Sequence, residues 1–306
     1  MVEILGRPAS AEIESLHEEI ISRWPGSRIE FVENPELATD GAHARGLDGV
    51  SYVHLRPGAD DEVIYHELLH DLFYRMGCPY LGLPESATGG FPVLRDLIEI
   101  RVSHPYVHAE MTKRGFQRQE YWRRMEANIL AWDQPESESP TVRFQNAAVV
   151  AEHIVSSPYD ATAVRQHVEA NYAVTWGLAE RVEAIIRPAE RTRSAWRRAL
   201  VAMIALAQET LAAEGVDMPL NRVISVSPVF TATELKRTSR RLLEIEYIPA
   251  TGLIALSDRR DASMLAFMEP SDSVAEAMRD LSGGLFLPAG TFLNEFGVEY
   301  LEDEVI

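Results

Sequence analysis

The segment Val63-Ile64-Tyr65-His66-Glu67-Leu68-Leu69-His70-Asp71-Leu72-Phe73-Tyr74 constrains this chain more than any other. Ile64, Leu68, Leu72 and Met76 recur every four residues, and Leu69 and Phe73 widen the stripe, so the segment reads as a largely buried helix. Asp60, Asp61 and Glu62 place negative charge where it begins, and Gly77 followed by Pro79 ends it. His66 and His70 stand at i and i+4, with Glu67 directly after the first histidine. At 3.6 residues per turn both imidazoles lie on one face and can reach one metal ion. Zinc takes neutral imidazole nitrogens at about 2.0–2.1 Å and, at a catalytic centre, leaves one position for water. Glu67 then sits beside the open side of the metal, where it can take a proton from water and later return it. The alternative is a pair of hydrogen-bonded core histidines.

His66-Glu67-Leu68-Leu69-His70 resembles the H-E-x-x-H pattern of zinc metallopeptidases. A catalytic site of this kind needs a third protein ligand. The metzincin pattern puts a histidine six residues after the second one; Met76 is there, which excludes that subclass. In gluzincin-type enzymes the ligand is a glutamate on a later helix, about twenty to thirty residues on. The apolar-periodic segment Phe91–Val102 carries Asp96 and Glu99 at that distance, at i and i+3 on one face. The resemblance makes Glu99 the expected ligand, since its longer side chain reaches further, and Asp96 the acceptor that fixes a ligand histidine's tautomer. His104 and His108 follow at once, and either is a zinc ligand by chemistry. Pro105 lies between them and breaks a helix from within, so His104 reads as a cap or loop residue and His108 as the first turn of a new helix. If His104, Tyr106 or His108 instead faces the open side of the metal, it can hydrogen-bond the oxyanion of a tetrahedral intermediate.

Upstream, Gly49–Arg56 alternates like a half-exposed strand and stops at Pro57-Gly58. In zincin-type enzymes, which this stretch resembles, the strand before the metal helix forms a sheet edge that pairs with substrate backbone. Tyr52 is then the candidate substrate contact. A helix over 11–24 and a strand over 28–32 complete a helix–strand–strand–helix unit.

The chain of 306 residues is long for one core and implies two or three compact units. The polar, proline-bounded loop 133–140 is the best boundary, giving an α+β, helix-rich protein: a zincin-like metallopeptidase domain over 1–132, a helical bundle over 141–214, and a smaller mixed α/β part over 215–306. The bundle's helices are expected at 142–155, 161–172, 174–186 and 188–213. Strands are expected at 223–230, 243–248 and 252–256, and a helix at 273–281. A formal charge of −18 argues against direct nucleic-acid binding. The basic clusters at Lys113-Arg114, Arg118, Arg123-Arg124, Arg187–Arg198 and Lys236–Arg241 read as solvated helix faces, and Glu299–Glu304 as a solvated tail. No apolar run is long enough for a membrane span, the N-terminus lacks the form of a signal peptide, and the single cysteine, Cys78, reads as a small packing residue in a reducing compartment. The expected location is cytoplasmic.

The first 125 or so residues resemble gluzincin-type metallopeptidases and, more loosely, the ImmA/IrrE-like group of intracellular bacterial regulatory proteases. The resemblance rests on His66, Glu67 and His70 after a strand, and on Glu99 in a following helix. It implies a zinc-dependent endopeptidase in which His66, His70 and Glu99 hold Zn2+ and Glu67 is the general base, acting on a protein or peptide substrate, in that group a repressor or other regulatory protein. The competing expectation is a catalytically silent module of the same fold that acts through its C-terminal parts.

Overall fold

The structure, a computed structural model, describes residues 3–46, 49–187, 190–249, 251–270 and 273–306. Met1 and Val2 of the N-terminal reading, and Pro188 at the expected start of the last bundle helix, lie outside the described residues. The protein is α+β and helix-rich, with twelve α-helices and several small sheets among the described residues. None of those helices is long and apolar enough to cross a membrane. Two compact units divide the chain: residues 1–78 with 106–123, and residues 79–105 with 124–306. This partition differs from the segments 1–132, 141–214 and 215–306, because the bundle and the mixed C-terminal part fall into one unit and 79–105 joins them.

In the first unit a two-stranded ribbon, β1 (Glu3–Ile4) and β2 (Arg7–Pro8), precedes α1 (Ala11–Arg23), which buries Ile13, Leu16 and Ile20 at helical spacing. A sheet of three strands follows: β3 (Arg28–Glu33), β4 (Gly41–Arg45) and β5 (Val50–Leu55), in the order β3-β5-β4. β5 runs parallel to β3 and antiparallel to β4. The strand before the histidine-bearing helix is therefore central, which corrects the expectation that Tyr52 lies on an edge strand; the edge on that side is β4. Ser51, Val53 and Leu55 are buried, and Ser51 reaches the next helix. With side chains alternating along a strand, Tyr52 and His54 project from the opposite face, where their rings stack at 6.3 Å.

α2 (Asp61–Arg75) carries both histidines. Asp60 caps it, its carboxylate accepting from the Val63 N–H at 2.9 Å. Gly77, at φ +73°, lets the chain leave: the Cys78 N–H donates to the Phe73 carbonyl at 3.0 Å and the Gly77 N–H to Tyr74 at 2.9 Å. Ile64, Leu68 and Leu69 are 0 % exposed, and each such side chain contributes about 1.5–3 kcal/mol by burial. Cys78 is buried, as expected of a packing residue.

After the short strand β6 (Leu81–Gly82), α3 (Phe91–Lys113) runs without interruption through Pro105, and the boundary between the units falls inside it. His104 and His108 thus lie one turn apart on one helix, contrary to the expected break. An interior proline costs about 3 kcal/mol. Packing outweighs that cost: Ile98 and Val102 are buried before it, Val107 and Met111 after it, and Arg101 and His104 both pair with the fully buried Glu152. Gly115, at φ +95°, ends α3, with the Phe116 N–H donating to Met111 at 2.9 Å. α4 (Gln119–Leu130) follows.

The second unit holds α5 (Pro140–Ser156), α6 (Thr162–Asn171), α7 (Ala173–Ile186) and α8 (Arg193–Ala213), close to the expected bundle. Ala147, Ala148 and Ala151 of α5 are fully buried, and their small side chains let α7 approach closely. The expected strand 223–230 is instead α9 (Leu220–Val223) followed by β7 (Ser225–Val226) and β8 (Val229–Phe230), separated by Pro228, which cannot donate to a ladder. Next come α10 (Ala232–Leu235), β9 (Leu243–Ile248), β10 (Leu253–Asp258), β11 (Met264–Met268), α11 (Val274–Gly284), α12 (Ala289–Glu295) and β12 (Leu301–Glu302). The sheet order is β6-β7-β11-β10-β9, and β12 pairs with β8.

Arg197 of α8 explains why bundle and sheet form one unit. Its guanidinium, 5 % exposed, donates to Asp261 at 2.5 Å and Ser263 at 2.6 Å and lies 3.2 Å from Asp258. The acidic C-terminus is likewise docked rather than solvated: Asp303 accepts from the Ser194 N–H at 2.9 Å and the Glu304 carbonyl from the Arg193 N–H at 3.0 Å. Anionic groups suit the N-terminus of α8, where backbone N–H groups lack helical partners.

Candidate metal centre on α2

His66 Nε2 and His70 Nε2 stand 3.1 Å apart. Two nitrogens bound at 2.0–2.1 Å to one tetrahedral ion are about 3.3 Å apart, so the pair already has nearly the spacing that a shared metal requires. His66 is buried and His70 partly so. Burial pushes the His70 imidazole down to about 3, with charge on His43 and Arg118 acting in the same direction. A neutral ring with a lone pair to give is what a metal needs.

Glu67 is 7 % exposed, and among the described residues nothing donates a hydrogen bond to its carboxylate. Burial pushes it up to about 8, against a lowering pull from Arg118. Gly41, the first residue of β4, explains how the carboxylate is approached: a Cβ there would come within 3.0 Å of Glu67 Oε1 and 2.7 Å of Val63 Cγ1. Only a glycine lets the edge strand pass this close to the helix.

One turn further along α2, Asp71 is fully buried but well supplied. It accepts from Ser51 Oγ at 2.5 Å and Arg75 Nε at 2.7 Å, with His43 Nε2 at 3.5 Å. Burial alone would raise its carboxyl, but hydrogen bonds from His43, Arg75 and Ser51 bring it below the usual carboxylate range.

Arg118 is not the solvated residue that its basic neighbourhood implied. It is 8 % exposed, its Nη1 lies 3.2 Å from His66 Nδ1, and its guanidinium stacks on Tyr121 at 4.0 Å. Its backbone is left-handed, at φ +44°. The only sequence signal was Gly115, which turns the chain back three residues earlier. His108 is buried in the same unit, its ring 5.2 Å from that of His66 and 4.7 Å from that of Trp122. Tyr106 is also buried there.

Glu99, Asp96 and His104 belong to the other unit. The Glu99 carboxylate accepts from the Leu81 N–H at 3.0 Å; burial pushes it up to about 7 against that hydrogen bond. The Asp96 side chain is 57 % exposed and pairs with Arg95 at 2.6 Å, not with a histidine. In that unit the carboxylate beside His104 is Glu152, whose Oε1 is 2.7 Å from His104 Nδ1. Forty-eight residues separate the two, too far for any local pattern to pair them.

His66 and His70 thus fit zinc in donor type and spacing, with Glu67 next to His66 in sequence. No family model matches the chain, and no curated protein or solved structure matches it.

Proposed function

We propose that this protein is a zinc-dependent endopeptidase acting on an intracellular protein, with residues 1–78 and 106–123 as the core of a zincin-like catalytic part. The observation that carries the reading is the 3.1 Å approach of His66 Nε2 and His70 Nε2 on one buried helix, with the buried Glu67 carboxylate between them in sequence. A catalytic site of this kind needs a third protein ligand. Glu99 is the candidate that the family resemblance supplies. His104 is the alternative by chemistry: within its own unit Nδ1 donates to Glu152, which leaves Nε2 with the lone pair.

Bound zinc supplies Lewis acidity, polarising a carbonyl and making water more acidic. The remaining work falls to the chain. Ionised Glu67, made strongly basic by burial, takes a proton from the attacking water and passes it to the departing amine. The outer edge of β4 accepts an extended substrate backbone in place of the strand that bears Tyr52, and Gly41 keeps that edge close to Glu67. One cysteine and a formal charge of −18 support a reducing compartment and a partner other than nucleic acid.

Elemental analysis of protein purified without chelator tests the reading. About one zinc per chain is expected, lost in His66→Ala and in His70→Ala. Protein without a transition metal would reject it.

A second reading, a binding module acting through its C-terminal parts, is favoured by one observation. A cavity of about 230 Å³ lies in the second unit, lined by Val201, Ile204, Ile224 and Met264 with Asp261 and Ser263 at its polar side. Catalytic silence of a fully metal-loaded protein would favour this reading.

A further inference from the structure

Arg118 bears on the histidine pair in a way that hydrogen-bond chemistry decides. A guanidinium has donors and no acceptor, and it stays protonated in proteins. Its Nη1, 3.2 Å from His66 Nδ1, therefore donates, and Nδ1 is the atom with the lone pair. A neutral imidazole whose Nδ1 accepts carries its proton on Nε2. His66 Nε2–H in turn donates to His70 Nε2 at 3.1 Å. The contacts form one directed chain: Arg118 to His66, His66 to His70.

That chain is the reverse of what a ligating pair needs. An imidazole that binds metal through Nε2 has its proton on Nδ1 and gives it to an acceptor, usually a carboxylate or a carbonyl. At His66 a cationic donor occupies the acceptor's place. Metal entry requires three linked changes: the proton leaves His66 Nε2, a proton is taken up at Nδ1, and the guanidinium withdraws from Nδ1, since two N–H groups cannot face one another there. Where it stands, the guanidinium is held by groups besides His66. Glu62, Asp60 and Glu67 all attract its charge, and the Tyr121 face stacks on it.

We propose that Arg118 is a positioning residue that sets the tautomer of His66 and competes internally with the metal: while it donates to Nδ1, the two histidines are closed on each other, and both rings take one ion only when it leaves. The metal half of this inference rests on the proposed zinc reading, whereas the tautomer half does not.

The experiment pairs 15N NMR of the histidine rings in the metal-free protein with zinc titration against a chelator. The native protein should show His66 protonated on Nε2. Arg118→Met should move His66 toward the Nδ1–H form and tighten zinc binding about tenfold or more, the scale on which groups behind a ligand act. Arg118→Lys keeps a cation of similar length at the left-handed position and should lie between the two. If Arg118→Met does not fold, the native spectrum and the lysine variant still decide the matter. His66 protonated on Nδ1 in the native protein would overturn the proposal, as would an Arg118 variant that folds and changes neither the tautomer nor the affinity. Weaker zinc binding in Arg118→Met would overturn the competition, showing the arginine to be a support. Zinc binding by none of the proteins, with the tautomers as expected, would reject the metal reading while upholding Arg118's control of His66.

Discussion

Glu67 and Asp71 stand one turn apart on α2, and both carboxylates are buried. Asp71 has Ser51, Arg75 and His43 around it and is held in its charged form. Glu67 has no hydrogen-bond donor among the described residues, and its carboxyl is pushed up to about 8. The same residue class on the same helix therefore does two jobs. Asp71 joins β5, β4 and α2 into one structure, and a buried charge in that role needs every partner it has. For Glu67 the cost of burying the charge outweighs the pull of Arg118, and a buried acid left without hydrogen bonds is the kind of group that active sites keep for proton transfer. On the proposed reading, that difference separates chemistry from architecture.

Substitutions at the two positions should diverge, and the largest effect belongs to Asp71. Asp71→Ala strands the Arg75 guanidinium, whose side chain is only 6 % exposed. It should lower the unfolding free energy by about 3–5 kcal/mol in denaturant titration. A loss below about 1 kcal/mol would mean that water reaches the cluster and that the contrast is weaker than drawn. Gly41→Ala comes next, because its Cβ meets Val63 and Glu67. Overpacking of this kind costs about 1–3 kcal/mol, and unchanged stability would show that β4 can retreat from the helix. Glu67→Gln should bring the smallest loss, or a gain: it has no hydrogen bond to lose, and the amide removes the cost of a carboxyl that burial pushes up to about 8, so the metal-free variant should be at least as stable as the native chain at neutral pH. A loss as large as that of Asp71→Ala would place Glu67 among the structural carboxylates.

How much of this could be read from the sequence follows the range of each interaction. α2 was legible with both its ends, since the apolar stripe, Asp60 and Gly77 are local signals. β4 was not, because Gly41-Ala42-His43-Ala44-Arg45 has no β-branched or aromatic residue and owes its conformation to pairing with β5. Pro105 misled for the opposite reason: a strong local signal yields to packing on either side and to the pairing of Arg101 and His104 with Glu152. In the sequence Arg118 and Arg197 look like their solvated basic neighbours, yet each is buried against groups far along the chain. Charge in a run says little about where a single guanidinium ends up.

The central claim is that α2 carries a metal site at His66 and His70, with Glu67 kept apart from the architecture. Unfolding of the metal-free protein with and without added zinc tests it most directly, because an ion that binds only the native state must stabilise it. At free zinc about a hundredfold above the dissociation constant, the native protein and Glu67→Gln should each gain about 2.7 kcal/mol, and His66→Ala and His70→Ala should gain almost nothing. A native protein indifferent to zinc, or histidine variants stabilised as much as the native chain, would contradict the account.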